Sequence, residues 1–286
     1  MTKILIIGAS GMLGSTLLRF FSLKDDTYIC YGTIRSIESI KGIKNIDQLN
    51  LVKNIDALDL ISLKKVFEEI KPNIVINCIG IIKQLEASQD MVECLKINSL
   101  FPHQLASICL EFNSRLIHLS TDCVFSGKKG MYKESDLPDA QDIYGLTKRL
   151  GEVEYDHSIT IRTSIIGHEL QSNKSLLNWF LSQKDCIEGY KNAIFSGLPT
   201  LEIAKIIDEF IIPNNSIKGL HHVSAEPINK YRLLSIIKEV YQKEIEIKEN
   251  NKYIIDKSLD SAIFRNLTGY APKDWKLLIK EMNNFR

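Results

Sequence analysis

Ile4-Leu5-Ile6-Ile7-Gly8-Ala9-Ser10-Gly11-Met12-Leu13-Gly14 sets an apolar run, a glycine turn and the start of a helical pattern in direct succession. A short apolar run without alternation reads as a strand covered on both faces. Glycines spaced Gly-x-x-Gly-x-x-Gly after such a strand suit a dinucleotide turn. The first makes the bend, the second lets backbone amides approach a pyrophosphate, and the third lets the helix pack closely on the strand. The helix N-terminus adds partial positive charge for the phosphates. Gly8, Ser10, Gly11, Met12, Leu13 and Gly14 are therefore the first candidate cofactor contacts. A glycine trio by itself equally describes a tight turn with a packing contact; its place after the first strand of an alternating chain makes nucleotide binding the stronger reading.

Outward from this stretch, apolar runs at 4–7, 28–31 and 74–77 alternate with helical periodicity at 12–21 and 63–70. That alternation predicts strand-helix units and a parallel sheet. Ser62 is the expected cap of the third unit's helix and Pro72 its stop. A helix over 91–111 must accommodate Pro102, and a strand over 115–119 leads into Ser120-Thr121. Residues 126–142 are polar and turn-rich, a loop before a new helix. Beyond Ile161 the pattern becomes irregular, with helices expected at 176–183, 200–210 and 230–241 and a strand near 220–223. The predicted fold is α/β: a Rossmann-type doubly wound parallel sheet over 1–163, and a smaller C-terminal substrate-binding lobe over 164–286 from which segments are free to return to the sheet.

With 286 residues, 44% hydrophobic and 25% charged, the chain has the composition of a globular protein with a substantial core. A formal net charge of +1 gives no global reason to expect nucleic acid or a membrane as partner, so any anion site must be local. The six cysteines show no metal-ligand spacing and read as reduced thiols in a cytoplasm. No leader pattern and no run of about 20 apolar residues is seen, and no metal site is expected.

An NAD site usually carries an acid about 20 residues past the glycine turn, whereas an NADP site presents an arginine. No acid stands between Thr27 and Glu38, and Arg35 follows the second strand, which favours NADPH and leaves NADH open. Asp59-Leu60 is a candidate for the adenine end, and Cys78-Ile79-Gly80 for the nicotinamide ribose; each also reads as a plain strand-to-loop transition. Tyr144 and Lys148 occur as Tyr-Gly-Leu-Thr-Lys at the start of a predicted helix. The i, i+4 spacing puts both on one face, about 5–6 Å apart at Cβ. Reducing a ketone by hydride requires a proton for the oxygen, and a phenol with its pKa lowered by a neighbouring ammonium is suited to give it. Thr121 offers a hydroxyl to the carbonyl oxygen. Tyr144, Lys148 and Thr121 are thus the catalytic candidates, with the first two also touching cofactor.

The glycine turn, Ser120-Thr121-Asp122-Cys123-Val124-Phe125-Ser126-Gly127, Tyr132-x-Glu134-x-Asp136 and Tyr144-Gly145-Leu146-Thr147-Lys148-x-x-Gly151-Glu152 together resemble the extended short-chain dehydrogenase/reductases. Within them the chain is similar to the dTDP-4-dehydrorhamnose reductase family, through Ile161-Arg162-Thr163-Ser164, residues 196–204 and Gly219-Leu220-His221-His222-Val223-Ser224. The resemblance implies NADPH-dependent reduction of the C4 ketone of a nucleotide-linked 6-deoxy-hexulose, with Thr121, Tyr144 and Lys148 as the carried-over trio and Asp122 and Arg162 as further substrate contacts. A homodimer is compatible with it. The chain departs from the family at Ile165-Ile166-Gly167-His168-Glu169, where many members have an aromatic residue. A UDP-linked 2-acetamido-2,6-dideoxy-4-hexulose is therefore an alternative substrate. Arg162, Lys174, Lys191 and Arg265 are candidates for the diphosphate, and His168 and Glu169 for the sugar. An epimerase uses the same tyrosine and lysine, and a noncatalytic NADP-binding regulatory subunit shares the fold. A dehydratase would carry an acid where Cys123 stands.

Overall fold

Ile4, Leu5, Ile6 and Ile7 are all inaccessible to solvent, and they divide between two cores. Ile4 and Ile6 pack with Leu17, Leu18 and Phe21, while Leu5 and Ile7 pack with Leu63, Phe67 and Leu105. Successive strand residues face opposite ways, so this run serves two helical layers at once. It forms β1 (Thr2–Ile7), which leads through the glycine turn into α1 (Met12–Ser22). The computed structural model describes residues 1–43, 46–83 and 86–285.

The chain continues through β2 (Tyr28–Thr33), β3 (Asn50–Val52), α2 (Leu60–Ile70) and β4 (Ile74–Asn77). A long helical stretch follows as α3 (Met91–Cys94), a wide π-type turn over Leu95–Leu100 and α4 (Phe101–Glu111). The widening answers Pro102, which has no N–H to give and whose ring crowds the carbonyl four residues back. That carbonyl, on Asn98, lies against Gly151, where an added β-carbon would be 1.9 Å from it. Next come β5 (Arg115–Thr121), α5 (Ile143–Leu150) and β6 (Ser158–Thr163). With β11 (Gly219–His222) from the second half, seven parallel strands form the main sheet in the order β11-β6-β5-β4-β1-β2-β3, with β1 between β2 and β4. Strand order therefore reverses at β1/β4, and a crevice opens there at the carboxyl ends of the strands.

The second half is β7 (Ile165–Ile166), α6 (Leu176–Ser182), β8 (Cys186–Tyr190), β9 (Ala193–Phe195), β10 (Leu198–Pro199), α7 (Thr200–Ile206), β11 (Gly219–His222), β12 (Ile228–Asn229), α8 (Lys230–Val240), β13 (Glu246–Asn250), β14 (Ile255–Asp256), α9 (Ala262–Thr268) and α10 (Trp275–Asn284). The expected division at residue 163 is interrupted, because β11 pairs with β6 inside the main sheet and Thr200 on α7 bonds to Thr16 on α1. The remaining strands make small sheets, β12-β9-β14 and β13-β8 among them, and form the smaller lobe. This lobe is tied to the loop after β5: Asp256 N donates to Gly127 O at 2.8 Å and Tyr132 N to Ser258 O at 2.9 Å, over a stacked Phe125–Tyr132 pair.

Helix α2 begins earlier than expected and uses a different cap. Asp59, rather than Ser62, is its N-cap: the carboxylate accepts from Ser62 N at 3.2 Å and Ser62 Oγ at 2.6 Å.

Candidate active site

The glycine turn is assembled by contacts that only glycines permit. A β-carbon on Gly14 would sit 2.2 Å from the Gly8 carbonyl oxygen, and one on Gly8, whose φ is +87°, would sit 2.7 Å from Ile79 Cγ1. These contacts draw the start of α1 onto β1 and bring Cys78-Ile79-Gly80, just past β4, to the opposite lip of the crevice. Gly8 N donates to Thr33 Oγ1 at 3.1 Å and Ala9 N to Thr33 O at 3.0 Å, which fixes the turn against the end of β2. Helix α1 starts at Met12 and Leu13 after Gly11, with no side chain capping it. Its leading amides are open to an anion, as a pyrophosphate site requires. Ser10 is half-buried in this turn, and Arg35 is exposed two residues beyond β2. The residues present therefore fit a dinucleotide with its pyrophosphate on α1.

Asp59 and Leu60 form the start of α2. The Asp59 carboxylate is committed to Ser62, and those bonds hold it below the usual carboxylate range. Leu60 is the first residue of α2 and packs into the core beneath it. The backbone that does run beside the end of β2 is residue 55, whose N–H donates to Ile34 O at 3.1 Å.

Thr121 ends β5 and Tyr144 lies in the first turn of α5, near enough for the threonine hydroxyl to act on the phenol. Asp142 sets the start of α5 by accepting from Gly145 N at 3.0 Å. Gly145 then rests on the turn after β5, where a β-carbon would come within 2.4 Å of Cys123 O. The glycine inside Tyr-Gly-Leu-Thr-Lys thus brings the phenol to the threonine. Burial pushes the Tyr144 phenol up, with the Cys123 thiol adding to the rise and the bond from Thr121 opposing it. This differs from the expectation that Lys148 would lower it, and the geometry shows why. Lys148 Nζ, on a residue 5% exposed, turns to the Leu119 carbonyl at 2.7 Å, and burial lowers its own pKa to about 8.

The same ammonium lies 3.9 Å from where a Gly80 β-carbon would be and opposes the rise of the Cys78 thiol, which burial still carries up to about 12. Lys148 therefore faces the Cys78–Gly80 lip, and the phenol beside it is a protonated donor rather than a base.

Two positioning groups were not singled out in the sequence. Asn98, in the wide turn, accepts from Ile81 N at 2.8 Å, donates to Ile81 O at 3.1 Å and donates to Thr147 Oγ1 at 3.3 Å. It clasps the segment past Gly80 to α5. Glu152 accepts from Ser120 Oγ at 2.6 Å and raises the pKa of Lys148 against its burial. Glu152 also holds Arg162 through Nε at 2.7 Å and Nη2 at 2.6 Å. Arg162 is 4% exposed, so the expectation that it meets substrate is corrected: a buried guanidinium is stable only when paired, and its partner is inside the protein.

Of the other cations proposed for substrate, Lys191 and Arg265 are also paired, whereas Lys174 is bonded, among the described residues, only through its backbone N–H. Lys191 pairs with Glu249 at 3.0 Å and Arg265 with Glu226 at 2.7 Å. Glu169 accepts from Lys174 N and Ser175 N at 2.9 and 2.8 Å, and His168 meets the Tyr241 hydroxyl at 2.9 Å. Asp122 stays at the site: it is 6% exposed, accepts from Thr121 Oγ1 at 3.3 Å, and is pushed up by burial.

A family profile described as "RmlD substrate binding domain" matches residues 1–249. A dTDP-4-dehydrorhamnose reductase of Aggregatibacter actinomycetemcomitans is 26% identical over 246 residues, covering 77% of this chain and 83% of its own. Methionine adenosyltransferase 2 subunit beta of Danio rerio is 25% identical over 256 residues, covering 84% and 74%. Among solved structures, a dTDP-4-dehydrorhamnose reductase of Bacillus anthracis in complex with NADP superposes with a TM-score of 0.80 at 19% identity over 99% of both chains, a likeness of fold.

Proposed function

The chain belongs to the RmlD substrate binding domain family, and from that premise we propose that it is an NADPH-dependent reductase of the C4 ketone of a nucleotide-linked 6-deoxy-hexulose, working in a reducing cytoplasm. What supports the reading is that the Thr121 hydroxyl acts on the Tyr144 phenol while the Lys148 ammonium, one turn further along α5, reaches the Leu119 carbonyl at the end of β5 and the Gly80 side of the crevice.

When bound there, NADPH supplies a hydride. The chain's own residues do the rest. Thr121 and Tyr144 hydrogen-bond the ketone oxygen, and Tyr144 releases its proton to that oxygen as the carbon becomes a secondary alcohol. A phenol pushed up by burial is protonated throughout the working pH range, which suits a donor. Lys148 has three N–H bonds, of which Leu119 O takes one; the others are available to the cofactor ribose and to the charge left on the phenolate. Arg35, exposed two residues beyond β2, is the candidate partner of a 2'-phosphate, which supports NADPH over NADH.

Elimination of water, the dehydratase reaction, would need a base beside Thr121. Cys123 has its thiol pushed up to about 12 by burial and by Asp122, so it is not one. The similarity to the methionine adenosyltransferase subunit keeps a noncatalytic reading in view, and turnover separates the two. With dTDP- and UDP-linked 4-keto-6-deoxy sugars as a panel, NADPH absorbance should fall for at least one, with the product's new hydroxyl at C4 by NMR. Tight NADPH binding with no oxidation across the panel would overturn the reductase reading.

A further inference from the structure

The Thr121 hydroxyl has one proton and two lone pairs to place. One lone pair is committed: Oγ1 accepts from Cys123 N at 3.1 Å, which caps the short turn Asp122–Val124 and fixes the threonine side chain. The proton is claimed twice. Ketone reduction requires it at the substrate oxygen, yet an ionised Asp122, which can only accept, would take it instead, with Oδ1 lying 3.3 Å away. The two demands are compatible only if Asp122 carries a proton of its own. Its carboxyl O–H then donates to the second lone pair of Thr121, and the threonine proton is free for the ketone.

The surroundings of Asp122 favour that form. Asp122 is 6% exposed and Thr121 7%. Among the described residues no salt bridge reaches Asp122, whereas the other buried carboxylate of the site, Glu152, is matched with Arg162. The contact with Thr121 is also longer than the roughly 2.5–2.7 Å of an O–H bond to a carboxylate. A buried carboxylate without a paired cation is costly, and burial pushes Asp122 up against the opposing effects of Lys257, Cys123, Lys230 and Thr121. The chemistry asks for the same state. When Tyr144 gives up its proton a phenolate forms nearby, and a second negative charge at Asp122 would oppose it.

We propose that Asp122 works as a neutral acid, a positioning residue that donates to Thr121 Oγ1 and so turns the threonine proton to the ketone oxygen. The inference rests on the reductase reading and adds a residue that acts through Thr121.

Infrared difference spectra of the NADP+ complex at neutral pH, native minus Asp122→Asn, should show the carbonyl stretch of a protonated carboxylic acid, sensitive to deuterium oxide and shifted by Thr121→Val. Turnover gives a second reading. Asp122→Asn, whose amide N–H still donates to Thr121, should keep kcat within about threefold of native, whereas Asp122→Ala, with no donor, should lower kcat about tenfold and leave KM for NADPH unchanged. A carboxylate band in place of the acid band, or an Asn variant as slow as the Ala variant, would overturn the assignment, because either means that the ionised form is at work. Native turnover in the Ala variant would overturn it as well. If Asp122→Asn fails to fold, the shift of the native band by Thr121→Val still decides. An acid band together with no NADPH oxidation on any 4-keto sugar would leave the Asp122–Thr121 pair standing and remove the reductase reading instead.

Discussion

The sheet side of the crevice and the lobe opposite it are built in different ways. On the sheet side, Gly8–Gly14, Cys78–Gly80, Thr121 and the Tyr144–Lys148 pair all sit at strand ends or on the helices that follow them, drawn together where a β-carbon on Gly8, Gly14 or Gly145 would come within 2.2–2.7 Å of a neighbour. On the lobe side, Lys230 follows a two-residue strand and Lys257 follows another, and short sheets hold them. The first region fixes reacting atoms through local sequence. The second is held to the loop after β5 through long-range bonds, Asp256 N to Gly127 O and Tyr132 N to Ser258 O. Chemistry that must be the same for every ketone belongs on the rigid side, and recognition of a particular nucleotide sugar belongs on the side whose sequence is free to vary.

This division is open to attack from the strong end first. Tyr144→Phe should cut turnover at least about 100-fold in steady-state NADPH oxidation while leaving NADPH affinity intact; unchanged turnover would remove the phenol from the chemistry.

The ammonium on the same face gives the next effect. Because burial brings Lys148 down to about 8 while Tyr144 stays protonated, kcat/KM for reduction should be level below pH 8 and fall about tenfold per unit as pH rises through and above it, when the charge at Lys148 is lost. A rate that instead rises above pH 8 would assign the limb to a group acting as a base.

Arg35→Ala, at the adenine end, should weaken NADPH about tenfold and NADH little, since only the former has the 2'-phosphate. Equal losses in fluorescence titrations with the two cofactors would end its assigned role. The smallest effect belongs to Asp59→Ala, which should lower the melting temperature by about 2 °C through the lost helix cap and leave NADPH binding alone. A selective loss of NADPH affinity would return Asp59 to the cofactor site.

How far the sequence could be read follows the same split. The apolar run at 4–7 and its glycine turn declared a strand buried on both faces and a crevice at its end, because both signals are local and periodic. The Tyr-x-x-x-Lys spacing needed only helical geometry to be understood. Ser62 rather than Asp59 is expected as the cap of α2 because an acid near a strand end and an acid at a helix start look alike until the helix boundary is known; the Asp59-x-x-Ser62 spacing is the available signal. The wide turn at Pro102 and the role of Asn98 depend on where α5 packs, and β11 returns to the sheet through contacts that periodicity does not encode. Arg162 looked like a free cation beside a motif, yet its partner Glu152 lay within another motif ten residues earlier.

The most direct measurement is a crystal structure of the Tyr144→Phe variant with NADP+ and a nucleotide-linked 4-keto-6-deoxy sugar. The account predicts the ketone oxygen at about 2.6–3.2 Å from Thr121 Oγ1 and in line with the missing phenol oxygen, with C4 over the nicotinamide ring. A sugar whose C4 lies away from Thr121 and the position-144 ring would contradict it.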